Sequence, residues 1–435
     1  MNFSTINSAS RSLPRLKYYL IGFLIFISFF SFSQDRCGTV EYNRILRLEN
    51  KVRESKEEFE NWIQRQMTVQ EELRKRTEPY RIYVVVHIIH NGEPIGQGTN
   101  ISNAQILSQI DVLNRDFNRQ NLDAGNTPGV FLPVAGSMDI EFVLAQTDPN
   151  GLPSNGINRV KGDKTSWEYE EDAEFKALSY WPAENYFNIW VCNLNGYFGF
   201  TQFPVSSLPG LENSSTNRLT DGVTIKYSVF GSTDYGNFNL EPDYNKGRTT
   251  THEVGHFLGL RHTWGDEDVC GATDYVDDTP EQSLETLGCP SHPQADCSTE
   301  KMFQNYLDYT DDGCMNLFTQ GQVSRMVVVL ENSPRRASLL LTPEPTPLEV
   351  QFPKIFSPNG DGVNDFWLWS NTLDYLDCKL TIFNRFGKPV FEMVSYDGSW
   401  GGRTNEGQIL EEEAYYYVIR CDGKKEITGG VRIVR

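Results

Sequence analysis

The stretch THEVGHFLGLRH, residues 251–262, constrains this chain more than any other. It holds three of the chain's six histidines, His252, His256 and His262. On a helix, residues four apart share one face, so His252 and His256 stand one turn above the other. Gly259 permits a backbone turn that a residue with a Cβ resists, which ends the helix and returns the chain for His262. Three neutral imidazoles converging on one point are the ligand set of a single metal ion with its fourth position open. Glu253, beside the first histidine, is placed to act as general base.

The pattern is HExxHxxGxxH, the metzincin form of the zinc-peptidase signature. It predicts one catalytic zinc held by His252, His256 and His262, with Glu253 taking a proton from the attacking water and delivering it to the leaving amine. A metzincin also needs a tight Met-bearing turn below the metal. In FQNYLDYTDDGCMNLF, residues 303–318, Leu307 stands at that place. The methionine is an apolar floor, and Leu nearly conserves its volume.

Charge narrows the partners. A formal net charge of −19 argues against nucleic acid as a partner, because a phosphate-binding surface needs clustered Lys and Arg. The N-terminus reads as an export signal. Arg11, Arg15 and Lys17 precede the apolar run YYLIGFLIFISFFSFS, with Ser31 and Ser33 at the small-residue positions of a cleavage after residue 33. At roughly 15 residues the run is short for a membrane span, and the mature protein is expected to have none. Export places eight cysteines in an oxidising compartment.

Five segments are expected: a signal peptide over 1–33, a propeptide over 34–78, a catalytic domain over 79–341, a proline-bearing linker over 342–349 and an all-β domain over 350–435. The propeptide is charged, carries apolar residues at helical spacing and ends at the basic run Arg74–Arg76. RIYVVVHIIH reads as a buried strand and NAQILSQIDVLNRDFN as an amphipathic helix. The fold class is thus an α/β zincin with a mixed sheet and an active-site helix, followed by a β-sandwich.

With both active-site segments in hand, residues 81–329 resemble the pappalysin family of metzincins, in its microbial, ulilysin- and cytophagalysin-like branch. The matching stretches are NIWVCNL, DGVTI, GRTTTHEVGHFLGLRHTWGD, DYVDDTP and NYLDYTDDGCMNLFTQGQ. The resemblance implies a secreted zinc endopeptidase acting on proteins or peptides, with Tyr309 stabilising the transition state. Asp312 would lie at the base of a pocket favouring Arg, or Lys, just after the scissile bond. Residues 199–203, GFTQF, would be the edge strand to which an extended substrate adds.

A structural calcium is expected in the acidic stretch Asp266, Glu267, Asp268, Asp274, Asp277, Asp278 and Thr279, and the resemblance favours Asp274 and Thr279, then Asp277. Spacing leaves three pairings open for Cys270, Cys289, Cys297 and Cys314. The family pattern points to Cys270–Cys297 and Cys289–Cys314. Cys378 and Cys421 are the natural pair of the last domain, and Cys192 is expected buried and free. Cys37, in DRCGTVEY, matches the family's latency cysteine, whose thiolate would occupy the zinc until the propeptide leaves. FPKIFSPNGDGVNDFW, LTIFNRFGKPVFE and the ending GGVRIVR resemble the gliding-motility-type C-terminal sorting domain of Bacteroidota. That domain's partner is the type IX secretion machinery, which places the product outside the cell or on its surface. The alternative reading is a catalytically weak surface adhesin on a metzincin scaffold.

Overall fold

The strand β2 (Tyr80–His90) organises the protease, and its sequence explains why. Nearly every side chain in YRIYVVVHIIH is buried, as in a strand covered on both faces. Its first half pairs in parallel with β3 (Ile140–Leu144) and its second half with β4 (Ile157–Lys161). On the other side it pairs with β5 (Phe187–Cys192), which pairs with β7 (Gly222–Lys226), both parallel. β6 (Tyr197–Thr201) runs antiparallel to β7, and β1 (Asp35–Cys37) adds to the free edge of β6 in parallel. The result is a seven-stranded mixed sheet among the described residues.

This chain is described by a computed structural model covering Met1 and residues 35–49, 51–71, 78–209, 218–341, 352–360, 364–369, 375, 378–421, 423 and 425–435. The expected signal peptide after Met1, the basic run at 74–76 and the linker at 342–349 lie outside the described residues.

Two helices precede β2: α1 (Thr39–Leu48) and α2 (Lys56–Glu71). α3 (Asn103–Phe117), capped by the Ser102 hydroxyl, packs on the sheet and on α5 (Arg248–Phe257). A short α4 (Asp172–Ala177) follows β4. α6 (Gln320–Asn332), opened by a Thr319–Gln322 capping box, and α7 (Pro334–Leu339) close the protease. One apolar core joins the sheet, α3, α5 and α6, and all ten residues of α5 are buried in it or beside it. Below α5 the chain is irregular, with the small hairpin of β8 (Ala295–Asp296) and β9 (Thr299–Glu300). Disulfides join Cys270 to Cys297 and Cys289 to Cys314 there, while Cys37 and Cys192 are buried and free.

The C-terminal region has its own core of Trp367, Trp369, Trp400, Tyr396, Tyr415 and neighbours. Its five strands are β10 (Ile355–Phe356), β11 (Cys378–Phe383), β12 (Pro389–Val394), β13 (Ala414–Cys421) and β14 (Ile427–Ile433). They form one sheet in the order β10-β14-β13-β11-β12. The three tryptophans come from segments between strands and cover one face of the sheet. Cys378 and Cys421, directly opposite on β11 and β13, are bonded. No helix among the described residues is long and apolar enough to cross a membrane.

Candidate metal and peptidase site

Helix α5 begins where a carboxylate holds it. Asp312 Oδ2 accepts the backbone N–H groups of Lys246, at 2.9 Å, and Arg248, at 3.1 Å, at the positive end of the helix. Arg248, almost wholly buried, is anchored by Asp116, by Asp123 at 2.9 Å and by the Tyr306 hydroxyl at 2.7 Å. Thr251 donates to the other oxygen of Asp116 at 2.7 Å. The helix is thereby fixed against α3 before it presents any ligand. At its far end Gly259 has φ +87°, and a Cβ there would meet Val329 at 2.7 Å. That turn brings His262 back beside His252 and His256.

The three Nε2 atoms lie 3.0–3.1 Å from one another. Each Nδ1 faces an acceptor: the Tyr306 carbonyl at 2.7 Å, the Leu260 carbonyl at 2.8 Å and the Asp266 carboxylate at 2.5 Å. Burial would raise Asp266, but His262 holds it down at about 2, so it is an ionised acceptor. Each Nδ1 therefore carries the hydrogen, and three lone pairs point at one another. Burial keeps His252 and His256 neutral, His256 at about 3. Only a cation between the nitrogens relieves that arrangement, and tetrahedral ligand nitrogens at 2.0–2.1 Å from zinc stand about 3.3 Å apart. The donor set fits a metal ion.

A fourth donor closes the cluster. Cys37 Sγ lies with the three imidazoles inside one 4.8 Å group. Burial and then Glu253 push its thiol well up, so a thiolate here requires a neighbouring cation. The residues flanking Cys37 occupy the rest of the cleft. The Thr39 hydroxyl donates to Glu253 Oε2 at 2.6 Å. Burial lifts Glu253 to about 7, against the hydrogen bonds of Thr39 and Cys37 and the charge of Arg36. Arg36 itself is buried, bonded to Asp312 Oδ1 at 3.1 Å and to the Thr310 carbonyl, with Tyr244 5.2 Å from its guanidinium. The Tyr309 hydroxyl lies 3.4 Å from the Cys37 carbonyl, and its ring stands edge-on to His262, which stacks on Trp264.

The structure thus brings Glu253, Tyr309, Asp312 and Cys37 around the three histidines. Leu307 is fully buried, its side chain 3.0 Å from where a Cβ on Gly255 of α5 would stand. The edge strand differs slightly from expectation: β6 spans Tyr197–Thr201, and Phe203 lies beyond it. Gly199 passes so close over α5 that a Cβ would meet Glu253 at 2.9 Å.

The acidic stretch divides. Asp266 serves His262, four residues earlier. Asp274 is buried and accepts the Thr279 hydroxyl at 2.8 Å and the Val276 N–H at 3.1 Å, while burial lifts it to about 7. Asp277 is exposed and has no hydrogen bond to either. Sequence reasoning missed Arg36 and Thr39, whose only signal is their place beside Cys37, and it read Asp266 as part of the calcium stretch rather than as the partner of His262.

Comparison with known proteins places this geometry. Residues 171–331 match the family model described as pregnancy-associated plasma protein-A, and residues 350–433 match the type IX secretion signal domain. An extracellular metalloprotease of Arthroderma benhamiae is 31% identical over 236 residues, which are 53% of this chain and 72% of that one. The chain belongs to the pappalysin family of metalloproteases. A solved structure of mature mirolysin of Tannerella forsythia with a cleaved peptide is 44% identical, with TM-score 0.55, over 61% of this chain and 97% of that one. A promirolysin mutant of the same organism is 40% identical, with TM-score 0.60, over 70% and 97%. This pappalysin is a secreted or surface-displayed metalloendopeptidase that uses a catalytic metal.

Proposed function

We infer that the metal is zinc, held by His252, His256 and His262, and that the protease cuts before Arg, less readily before Lys. Zinc supplies Lewis acidity at this place, polarising a carbonyl and easing the ionisation of water. Glu253, buried and poised near neutral pH, takes a proton from the attacking water and returns it to the leaving amine. Tyr309 donates a hydrogen bond to the oxygen that gains charge in the transition state. Asp312 receives a guanidinium, and β6 receives the substrate backbone on its free edge.

One observation carries the specificity: a buried arginine of the chain itself, Arg36, already occupies Asp312 beside the metal cluster. The same segment supports latency. We assign residues 1–33 to a signal peptide and 34–78 to a propeptide in which Arg36 fills the pocket, Cys37 takes the fourth metal position and Thr39 engages the base. Self-cleavage near 74–81 is the activation route in keeping with that preference. Asp274 and Thr279 are the calcium ligands of this reading, and residues 350–435 direct export.

The test is mass-spectrometric profiling of peptide-library cleavages by the matured protease beside its Glu253→Ala variant. Cuts preceding Arg that vanish in the variant are expected, and Asp312→Ala should abolish the preference. Cuts with no basic preference would remove the pocket assignment.

A further inference from the structure

On the reading of residues 34–78 as a detachable propeptide, α2 leaves with it, and what α2 covers is built as a binding site. Glu60 of α2 is buried and accepts from two guanidiniums of the protease at once. Arg325 reaches it through Nη1 at 2.5 Å and Nη2 at 2.8 Å, and Arg261 through Nε at 2.7 Å. Among the described residues no other carboxylate forms an ion pair with either arginine. Both are buried, and Arg261 Nη2 has no hydrogen-bond partner among the described residues. Around this pair Phe59, Trp62 and Ile63 of α2 pack on Val328 and Val329 of α6 and on Phe203. Trp62 also donates to the Ser207 hydroxyl at 3.2 Å.

When α2 departs, two guanidiniums lose their shared carboxylate and are left together in a groove lined by Phe203, Val328 and Val329. Two guanidiniums converging on one point bind a carboxylate strongly and with fixed geometry. The pocket is also tied to the metal site. Arg325 Nε donates to the Gly259 carbonyl at 2.7 Å, in the turn that delivers His262, and Arg261 is the residue before His262.

We propose that Arg261 and Arg325, with the groove of Phe203, Val328 and Val329, form a carboxylate-binding exosite of the matured protease. Its ligand is an amphipathic helix carrying a glutamate flanked by aromatic residues, and the chain's own α2 is the first such ligand. The segment is held by two separable anchors, the metal-facing residues 36–39 and the arginine pocket, so α2 binds without the residues that enter the cleft.

The test uses the full chain, zinc-loaded, with a recognition site for a sequence-specific protease inserted between Lys75 and Arg76. After cutting, the N-terminal segment is removed by gel filtration. A labelled peptide of residues 54–71, its exposed Arg65 replaced by Gln to remove a cleavage point, is titrated by fluorescence anisotropy. Saturable one-to-one binding is expected, weakened about 30-fold or more by Glu60→Gln, as for loss of one partner of a buried charge pair. The protease is identical in both titrations, so a folding defect does not enter. No binding, or equal binding of the two peptides, overturns the exosite. The peptide lacks Arg36, Cys37 and Thr39, so the result is independent of latency, which a Cys37→Ala full chain reads by itself through its rate of activation.

Discussion

Glu253 is engaged from residues 36–39 in three ways: the Thr39 hydroxyl at 2.6 Å, the Cys37 thiol and the charge of Arg36. On the proposed reading, a base so occupied is withheld from water until the segment leaves. In the matured protease, Glu253→Gln keeps the shape and the histidines but loses the proton acceptor. Activity should fall by about 10²–10⁴ with metal content unchanged by atomic absorption. Tyr309→Phe removes one donor to the developing charge, and kcat should fall by about 10²–10³ with KM little altered. The histidines and Glu253 were legible in the sequence because a metal ion fixes both residue type and helical spacing. Arg36 and Thr39 were not, because what each does is set by a partner brought close only by folding, and Asp266, only four residues from His262, was read as part of the calcium stretch instead. Asp312 was singled out through family resemblance, and its pocket role is a proposal. That it holds the first N–H groups of α5 needed the structure.

At the scale of elements, α5 and the turn after it behave as one part. Gly259→Ala places a Cβ at a φ of +87° and against Val329, two independent penalties. A loss of about 1–3 kcal/mol of stability is expected from the backbone conformation alone. Weaker metal retention should accompany it, read by thermal unfolding and by competition with a chelator. A second anchor ties α7 to the entry of β7. Burial would raise Asp221, but Arg336 and then Arg335 hold it down at about 2. Its folded-state value lies below the ordinary carboxylate value near 4, so its contribution is complete above pH 4 and is lost as pH falls toward 2. Roughly 2 kcal/mol of stability should disappear over that window in the wild type and not in Asp221→Asn, by denaturant unfolding at each pH. The long runs that became β2, α3 and α5 were plain in the sequence, since their periodicity is that of buried elements. The hold of Asp221 on α7 was not, because it joins residues more than a hundred positions apart.

For the molecule as a whole, the decisive fact is that its two large cores share no residue. The protease core draws on residues 80–339, and the C-terminal core lies wholly beyond 350. The proline-bearing stretch expected as a linker lies between them, outside the described residues. The contact across it did not show in the sequence: Asn103 and Asn155 donate to the Asp397 carbonyl, each at 3.3 Å, and half-buried Arg159 feels the Asp397 charge. Among the described residues these polar contacts around Asp397 are weak against either core, so the two parts should unfold as separate transitions. The Cys378–Cys421 bond closes a loop of 43 residues and contributes about 4 kcal/mol to the C-terminal part by chain entropy. Cys378→Ser/Cys421→Ser should therefore lower one calorimetric transition and leave the other in place. A chain ending at Leu341 should keep the kcat/KM of the full protein on short peptides, because no residue beyond 341 is in contact with the metal cluster or β6 among the described residues. The same chain should fail to leave the cell, since residues 350–433 match the secretion signal domain. Undiminished export of the truncated protein would show that the address lies elsewhere. A single merged transition, lowered throughout by the double serine variant, would show instead that the Asp397 contact couples the two cores.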